Sequence, residues 1–424
     1  MLIDFRFENY KCFAGPQTLS LVASNLKDQG GTIDSSSGLR LLPWIGLYGA
    51  NAAGKSATLD AMHEMRNMVS ESQVSWKPNG RIPRSPFILG DDQTEPTLFE
   101  VNLEVGGVRY TYGFSFDEKR FLTEYLSAYP EGRERVLFAR DATEEGSFQF
   151  GRHLRGENRA ISKLTRPNSL FLSAAAQNAH EELTPLFNWF TQDTQFLSSS
   201  NQDERIAYTA FQLGEEEEVW QDRISDFVRT ADLGVDGIRV DTRRIPDEVW
   251  SQAVAEVPED ELVQIPREIP YLELLHKSVT SAEPVPMPLG WESRGTRAWL
   301  AMAYPVLWTL RFGDLLVIDE LSASLHTTLA AFLVGLFSSP KTNPNEAQLI
   351  FNTHDTNLLT CVEARRDQIW FAEKDGASES HLYPLTEFRP RKNENLERGY
   401  LQGRYGAVPF LDDARLFNIV DGSA

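Results

Sequence analysis

The sequence predicts an α/β fold, with a mixed core sheet flanked by helices, an antiparallel β-subdomain and a mostly helical insertion. Three observations predict it. Gly49-Ala50-Asn51-Ala52-Ala53-Gly54-Lys55-Ser56 fits the pattern G-x-x-x-x-G-K-[ST] between an apolar stretch and a stretch of helical spacing. Asp314-Leu315-Leu316-Val317-Ile318-Asp319-Glu320 is an apolar run that ends in two carboxylates. Residues 97–105 and 108–116 alternate in polarity around Gly106-Gly107, a two-residue hairpin signal, and so form an antiparallel sheet distinct from the parallel core.

In chain order, residues 1 to about 60 read as two or three strands that end in the glycine loop. Residues 41–48 are apolar and β-prone, a short buried strand, and residues 57–65 repeat apolar side chains at helical spacing. That frame aims a row of backbone N–H groups at a polyphosphate from a helix N-terminus. From about 95 to 150 the strands alternate. Between about 155 and 235 the composition turns helical, over 173–177, 183–196 and 215–230, with Glu215 to Glu218 as a solvated first turn. Residues 241–290, rich in Pro and acids, read as irregular connections with one strand at 271–276. From 290 to 372 helices and strands alternate again and complete the α/β core. The resulting division is an N-terminal lobe 1–155, a helical insertion 156–285, a C-terminal lobe 286–388 and a tail 389–424.

Bulk properties narrow the classes of function. The chain has 424 residues, 41% hydrophobic and 24% charged, which suits a globular protein of two or three lobes. No run approaches the roughly 18 apolar residues of a membrane span, and the acid-bearing, strand-like start does not read as a signal peptide. Only Cys12 and Cys361 occur, which argues against disulfides or a cysteine zinc site. A cytoplasmic location is expected. Forty-one basic against 61 acidic residues give a net charge of −20, which repels a phosphate backbone unless the basic residues cluster. Two clusters exist, Arg389-Pro390-Arg391-Lys392 and the five basic residues from Arg152 to Arg166. Each reads either as solvated surface or as a nucleic-acid footprint.

The motifs assign chemistry to positions. Lys55 is placed to reach the β- and γ-phosphates and the Ser56 hydroxyl to ligate magnesium. Carboxylates at the C-terminal end of a strand lie where open α/β sheets bind ligands. Asp319 is accordingly placed to hold magnesium opposite Ser56, and Glu320 to orient or deprotonate the attacking water. Residues 348–352 are another apolar strand, followed by Thr353-His354-Asp355, with His354 positioned to hydrogen-bond a γ-phosphate oxygen. Glu292-Ser293-Arg294-Gly295-Thr296 precedes a helical stretch, an anion-binding geometry that also reads as an ordinary helix cap.

The order of these motifs resembles the ABC-type ATPase head, in the layout of RecF, SMC and OLD-type proteins. Glu8-Asn9-Tyr10-Lys11-Cys12-Phe13 is similar to the Asn-Phe-Lys/Arg-Ser-Phe signature of SMC and RecF. The resemblance implies ATP and Mg²⁺ as cofactors. Nucleotide contacts would come from Asn51, Ala52, Ala53, Gly54, Lys55, Ser56 and Ala57, with Lys11 added from the N-terminal signature. It also implies that Ser293 and Gly295 stand in for the transporter signature Leu-Ser-Gly-Gly-Gln, which in the family reaches the γ-phosphate across a head-to-head dimer. Ser322 to His326 falls at the D-loop, with His326 where transporters carry Asp. Gln93 is a candidate for the Q-loop residue.

Three segments look like the abortive-infection and antiphage-defence branch, RloA/AbiL-like. They are 292–296, 319–326 and the tail Tyr400-Leu401-Gln402-Gly403-Arg404-Tyr405-Gly406-Ala407-Val408-Pro409-Phe410. Members of that branch act with a separately encoded effector, often a Toprim-type nuclease, and no Toprim-like acid cluster follows the motifs here. The expectation is an ATPase that dimerises on ATP and switches such an effector, with no membrane partner. Rival readings are a RecF-like DNA-repair head that binds DNA directly, a transporter subunit, and a scaffold that binds ATP without turnover. The long span from Ser56 to Ser293 counts against the transporter subunit.

Overall fold

The computed structural model describes residues 1–28, 30–90, 94–142, 148–215, 218–231, 233–254, 267–391 and 394–409. Its six-stranded sheet runs in the order Thr194–Ser198, Leu315–Asp319, Gln348–Asn352, Trp44–Tyr48, Ile369–Lys374, Ser380–Pro384. The first five strands are parallel and the last pairs antiparallel. Alternate side chains of the central strands enter two different cores. Leu315, Val317 and Ile350 face Met62 and Met65 of the helix Lys55–Glu71. Leu316, Ile318, Leu349 and Phe351 face the side of Trp299 and Leu333, on the helices Arg294–Phe312 and Thr327–Ser338. A strand buried on both faces reads as an unbroken apolar run, which is why these were visible in the sequence.

The seven-stranded sheet is antiparallel, in the order Phe148–Phe150, Arg135–Asp141, Phe121–Tyr129, Val108–Phe116, Thr97–Val105, Leu2–Glu8, Gln17–Ser20. Gly106 and Gly107 take φ of +57° and +76°, the paired positive angles of a tight hairpin that only glycine adopts freely. Phe5, Phe7, Phe99, Phe114, Phe116 and Phe121 are essentially fully buried and share a core with the glycine-loop helix. The first strand of the chain therefore belongs to this antiparallel sheet, not to the parallel core.

The structure corrects several boundaries. Five strands, two of them two residues long, precede the loop, and the helix after it extends over Lys55–Glu71. The expected helix 183–196 divides into a helix Thr184–Thr191 and the edge strand Thr194–Ser198. Asp193 makes the turn, its carbonyl accepting the Leu315 N–H at 2.9 Å. An edge strand of five residues is too short for its period to compete with a neighbouring helical pattern. Besides helices, residues 156–285 supply one strand of the core sheet and most of a second sheet, formed by Val235–Arg244, Glu268–His276 and Val285–Pro288. Residues 241–290, expected as one strand among irregular connections, hold parts of these three strands and the helix Asp247–Ala253. Against this sheet pack the helices Gln202–Glu215 and Glu218–Arg229, joined to the core where Phe227 stacks on Trp299 at 4.5 Å. The acid run spans the gap between those helices, and residues 216 and 217 lie outside the described ones.

One buried polar group ties the antiparallel sheet to the helix Phe171–Gln177. Glu124, with no exposed surface, accepts hydrogen bonds from the N–H groups of Phe171 (2.7 Å) and Leu172 (3.0 Å) and from the Tyr112 hydroxyl (3.0 Å). Arg140 lies 3.9 Å away. Burial raises the Glu124 pKa and lowers that of Arg140, so each charge depends on the other and on these donors. Removing the carboxylate leaves a buried cation and three donors without their acceptor. Glu124→Ala is expected to cost about 3–5 kcal/mol, read as a fall in the urea midpoint, whereas Glu118→Ala, at an exposed pair, is expected to cost under about 1 kcal/mol.

Candidate nucleotide site

The glycine loop opens at Gly49, directly after the wholly buried strand Trp44–Tyr48. A Cβ at Gly49 would lie 2.3 Å from the Ala372 carbonyl oxygen, and one at Gly54 would lie 2.7 Å from the Phe13 ring. Both glycines also have positive φ, as does Ala52. The loop is therefore wedged between the neighbouring strand and the N-terminal turn at Lys11–Phe13, and no side chain fits at either glycine. Asn51 and Ala52 are exposed, Ala53, Gly54 and Lys55 are buried, Ser56 is exposed and Ala57 is half-buried. The Lys55 amine folds back to donate to the carbonyls of Gly49 (2.8 Å) and Ala50 (2.9 Å). Burial lowers its pKa to about 8, against the opposing pull of Asp319 and Glu320.

Beside the loop, the strand Leu315–Asp319 ends at Asp319 and the chain turns through Glu320, whose φ of +61° is unusual for a side-chain-bearing residue. The residue that organises this turn is Asn352, the last of the strand Gln348–Asn352 and fully buried. Its side-chain amine donates to the Ser56 hydroxyl (3.3 Å) and to the Asp319 carboxylate. Its side-chain oxygen accepts the Glu320 N–H at 2.6 Å, and its backbone carbonyl accepts the Leu321 N–H at 3.0 Å. One carboxamide thus fixes a hydroxyl, a carboxylate and the backbone of the expected general base. The motif reading passed over Asn352, although a polar residue closing an apolar strand was the signal already used for Asp319.

His354, two residues on, is exposed. Partial burial and then Lys55 lower its pKa below the ordinary histidine value, so the ring is neutral at pH 7 and carries one N–H to donate. The following turn is braced by Asp355, which accepts from the Thr327 hydroxyl and the Asn357 N–H (3.1 Å).

Lys11 forms an ion pair with Asp60 at 2.5 Å, while Asp60 also accepts from the Tyr10 hydroxyl. Lys11 lines a 270 Å³ cavity together with Ser56, Asp60, Asn201 and Asp319. Gln93 lies outside the described residues. The polar end of the strand Thr194–Ser198 borders this cavity: Ser198 pairs with Asp319, and Arg205 donates to the Ser198 carbonyl (2.5 Å) and to Asn201 (2.8 Å). Missing that strand in the sequence meant missing Ser198 and Asn201.

Ser293 caps the helix Arg294–Phe312, accepting the Thr296 N–H at 3.1 Å. A Cβ at Gly295 would lie 3.0 Å from the Ser324 carbonyl oxygen, so the Ser-x-Gly-Thr segment packs on the turn after Glu320. Among the described residues, no hydrogen bond joins Ser293 or Gly295 to the glycine loop. Glu292, largely buried, receives a 2.7 Å contact from His276 that fixes the start of the segment. His326 proves to be a helix cap, its Nδ1 accepting the Thr328 N–H at 3.2 Å.

The tail also reaches the site. Tyr400, on the helix Leu396–Leu401, donates to the Ala407 carbonyl at 3.0 Å, and burial pushes its pKa up to about 12, against the opposing effect of the Gly49 backbone N–H. Phe371, Tyr400 and Tyr405 stack beneath it.

The family described as "AAA domain, putative AbiEii toxin, Type IV TA system" matches residues 45–360, from the loop strand to the helix after His354. The chain belongs to this AAA-domain family. No curated protein matches it. Among solved structures, a similar chain is the SMC head crystallised with the C-terminal winged-helix domain of ScpA, at 11% identity and TM-score 0.45, over 90% of this chain and 97% of that one. Among the described residues of this AAA-domain chain, no helix is long and apolar enough to cross a membrane.

The donor set fits the expected cofactors. A hydroxyl and a carboxylate held together by one amide are hard oxygen ligands suited to Mg²⁺, and the loop with its buried lysine suits a polyphosphate. Two outcomes follow. Asn352→Ala should weaken Mg²⁺-dependent nucleotide binding about tenfold, measured by calorimetry with and without the ion, with a smaller effect in chelator. Because Lys55 must be charged to hold phosphate, nucleotide affinity should be level below pH 8 and fall about tenfold by pH 9, a decline that Lys55→Arg should remove.

Proposed function

We propose that this chain binds ATP with magnesium, hydrolyses it as a head-to-head dimer, and thereby controls a separate effector, a nuclease, in antiphage defence of the RloA/AbiL-like kind. The observation that carries the ATPase part is the Asn352 amide joining Ser56, Asp319 and the Glu320 backbone at the ends of adjoining strands.

Lys55 would exchange the carbonyls of Gly49 and Ala50 for phosphate oxygens, with further donors in the amides from Asn51 to Ala57. Ser56 and Asp319 would hold the magnesium ion, which when bound offsets charge on the phosphates. Glu320 would take the proton from the attacking water, and the neutral His354 ring would donate to a γ-phosphate oxygen. Ser293 and Gly295, which make no hydrogen bond to this chain's own loop among the described residues, would serve the loop of a second copy. The family description names a putative toxin of a toxin–antitoxin system, which supports action through a partner. The effector would be encoded beside this chain, and ATP turnover would set its activity.

Glu320→Gln should lower ATP turnover by at least about 10² while Mg·ATP binding persists. Light scattering should then show a dimer with ATP and a monomer without it. Unchanged turnover would remove Glu320 from its role, and a monomer at saturating ATP would remove the dimer.

A further inference from the structure

The basic run from Arg152 to Arg166 does not behave as one surface. Arg166 turns inward and donates to the carbonyls of Ser72 (2.6 Å) and Trp76 (3.2 Å). Arg159 and Lys163 instead lie four residues apart on the helix Asn158–Leu164, hence on one face. Both are exposed, and neither has an ion-pair partner among the described residues. That face meets the edge strand Phe148–Phe150 of the antiparallel sheet across an open groove of about 910 Å³. Arg120 and Arg140 complete the lining.

Two features distinguish this groove from ordinary solvated surface. Its lining holds four cations and, among the described residues, no carboxylate, in a chain whose net charge is −20. The groove also has aromatic side chains. Phe148 and Phe150 project to the same side of the strand, half-buried, with ring centroids 5.9 Å apart and planes within 6° of parallel. The Arg140 guanidinium lies over the Phe148 ring at 5.3 Å. Exposed cations on a rim, Arg120, Arg159 and Lys163, beside flat apolar rings suit a ligand that is a polyanion with unpaired aromatic faces. A duplex hides its base faces and could use only the cations. A free phosphate would leave the rings unused.

We propose that this groove binds single-stranded nucleic acid, with Arg120, Arg159 and Lys163 on successive phosphates and the Phe148–Phe150 pair against the bases. The site lies on the antiparallel sheet, away from the glycine loop, and the inference does not depend on ATP hydrolysis.

Fluorescence anisotropy of the full chain with a short labelled oligothymidylate or oligouridylate tests it. Binding is expected, with log K against log salt falling at a slope of about −2 for three phosphate contacts. R159E/K163E should weaken it more than tenfold. A control of equal charge change elsewhere on the chain, R311E together with K341E, should leave it unaltered, as should Lys55→Ala, which disables the nucleotide loop alone. Absence of binding at low salt, equal binding by R159E/K163E, or equal affinity for a blunt duplex of the same length would each overturn the proposal.

Discussion

A single buried carboxamide, that of Asn352, holds the loop-bearing end of the sheet in one arrangement. Its value comes from register. Parallel pairing sets Asn352 opposite Leu47 and Phe351 opposite Ile318, so the three chain segments leave the sheet at one edge and diverge into the glycine loop, the Glu320 turn and the His354 turn. Loops that diverge from a sheet edge have little reason to keep fixed spacing. The amide supplies that reason, donating to Ser56 and Asp319 and accepting from the Glu320 backbone. Because the Asn352 side chain is fully buried, each of these bonds is costly to lose. The left-handed backbone at Glu320 is sustained by the same acceptor.

Around this point the packing is strongly two-sided. The glycine loop is pressed by Phe13 from the antiparallel sheet and by Ala372 from the neighbouring strand, and Tyr400 of the tail lies edge-on to Tyr48, the residue before Gly49, at 6.5 Å. The family match ends at residue 360, so the tail lies outside the matched stretch yet packs against the residue that leads into the loop. Glu397 approaches Thr356 and Thr360 at 3.4 Å, which gives the same short helix a hold on the segment that follows His354. Loop and histidine turn are in this way braced from one external element as well as through Asn352.

How much of this was legible depended on what each residue's role required of its neighbours. The glycine loop was legible because backbone geometry admits few residues at Gly49 and Gly54. The strands carrying Asp319 and leading to His354 were legible because burial on both faces demands unbroken apolar runs, and the hairpin because Gly106-Gly107 has few other uses. Thr194–Ser198 was not legible: five residues at a sheet edge carry no period distinct from the helix before them, and with that strand went Ser198 and Asn201. Asn352 carried no motif, since its function depends on two partners 33 and 296 residues away. Residues 156–285 were separated by composition, whereas the sheets draw on them by pairing.

The strand order has a consequence for how the chain can be made. Trp44–Tyr48 has only two sheet neighbours, Gln348–Asn352 and Ile369–Lys374, and both are translated some 300 residues later. Throughout most of synthesis this apolar strand has no ladder to join, while the antiparallel sheet, whose strands all fall within residues 2–150, can already close. Such long-range pairing is slow and leaves an adhesive segment uncovered. The core that Leu2–Glu8 and Thr97–Val105 share with the Lys55–Glu71 helix gives the nascent chain somewhere to park the flanks of that strand. A ribosome-bound fragment ending before residue 348 would therefore carry the whole glycine-loop motif in its sequence and be unable to use it.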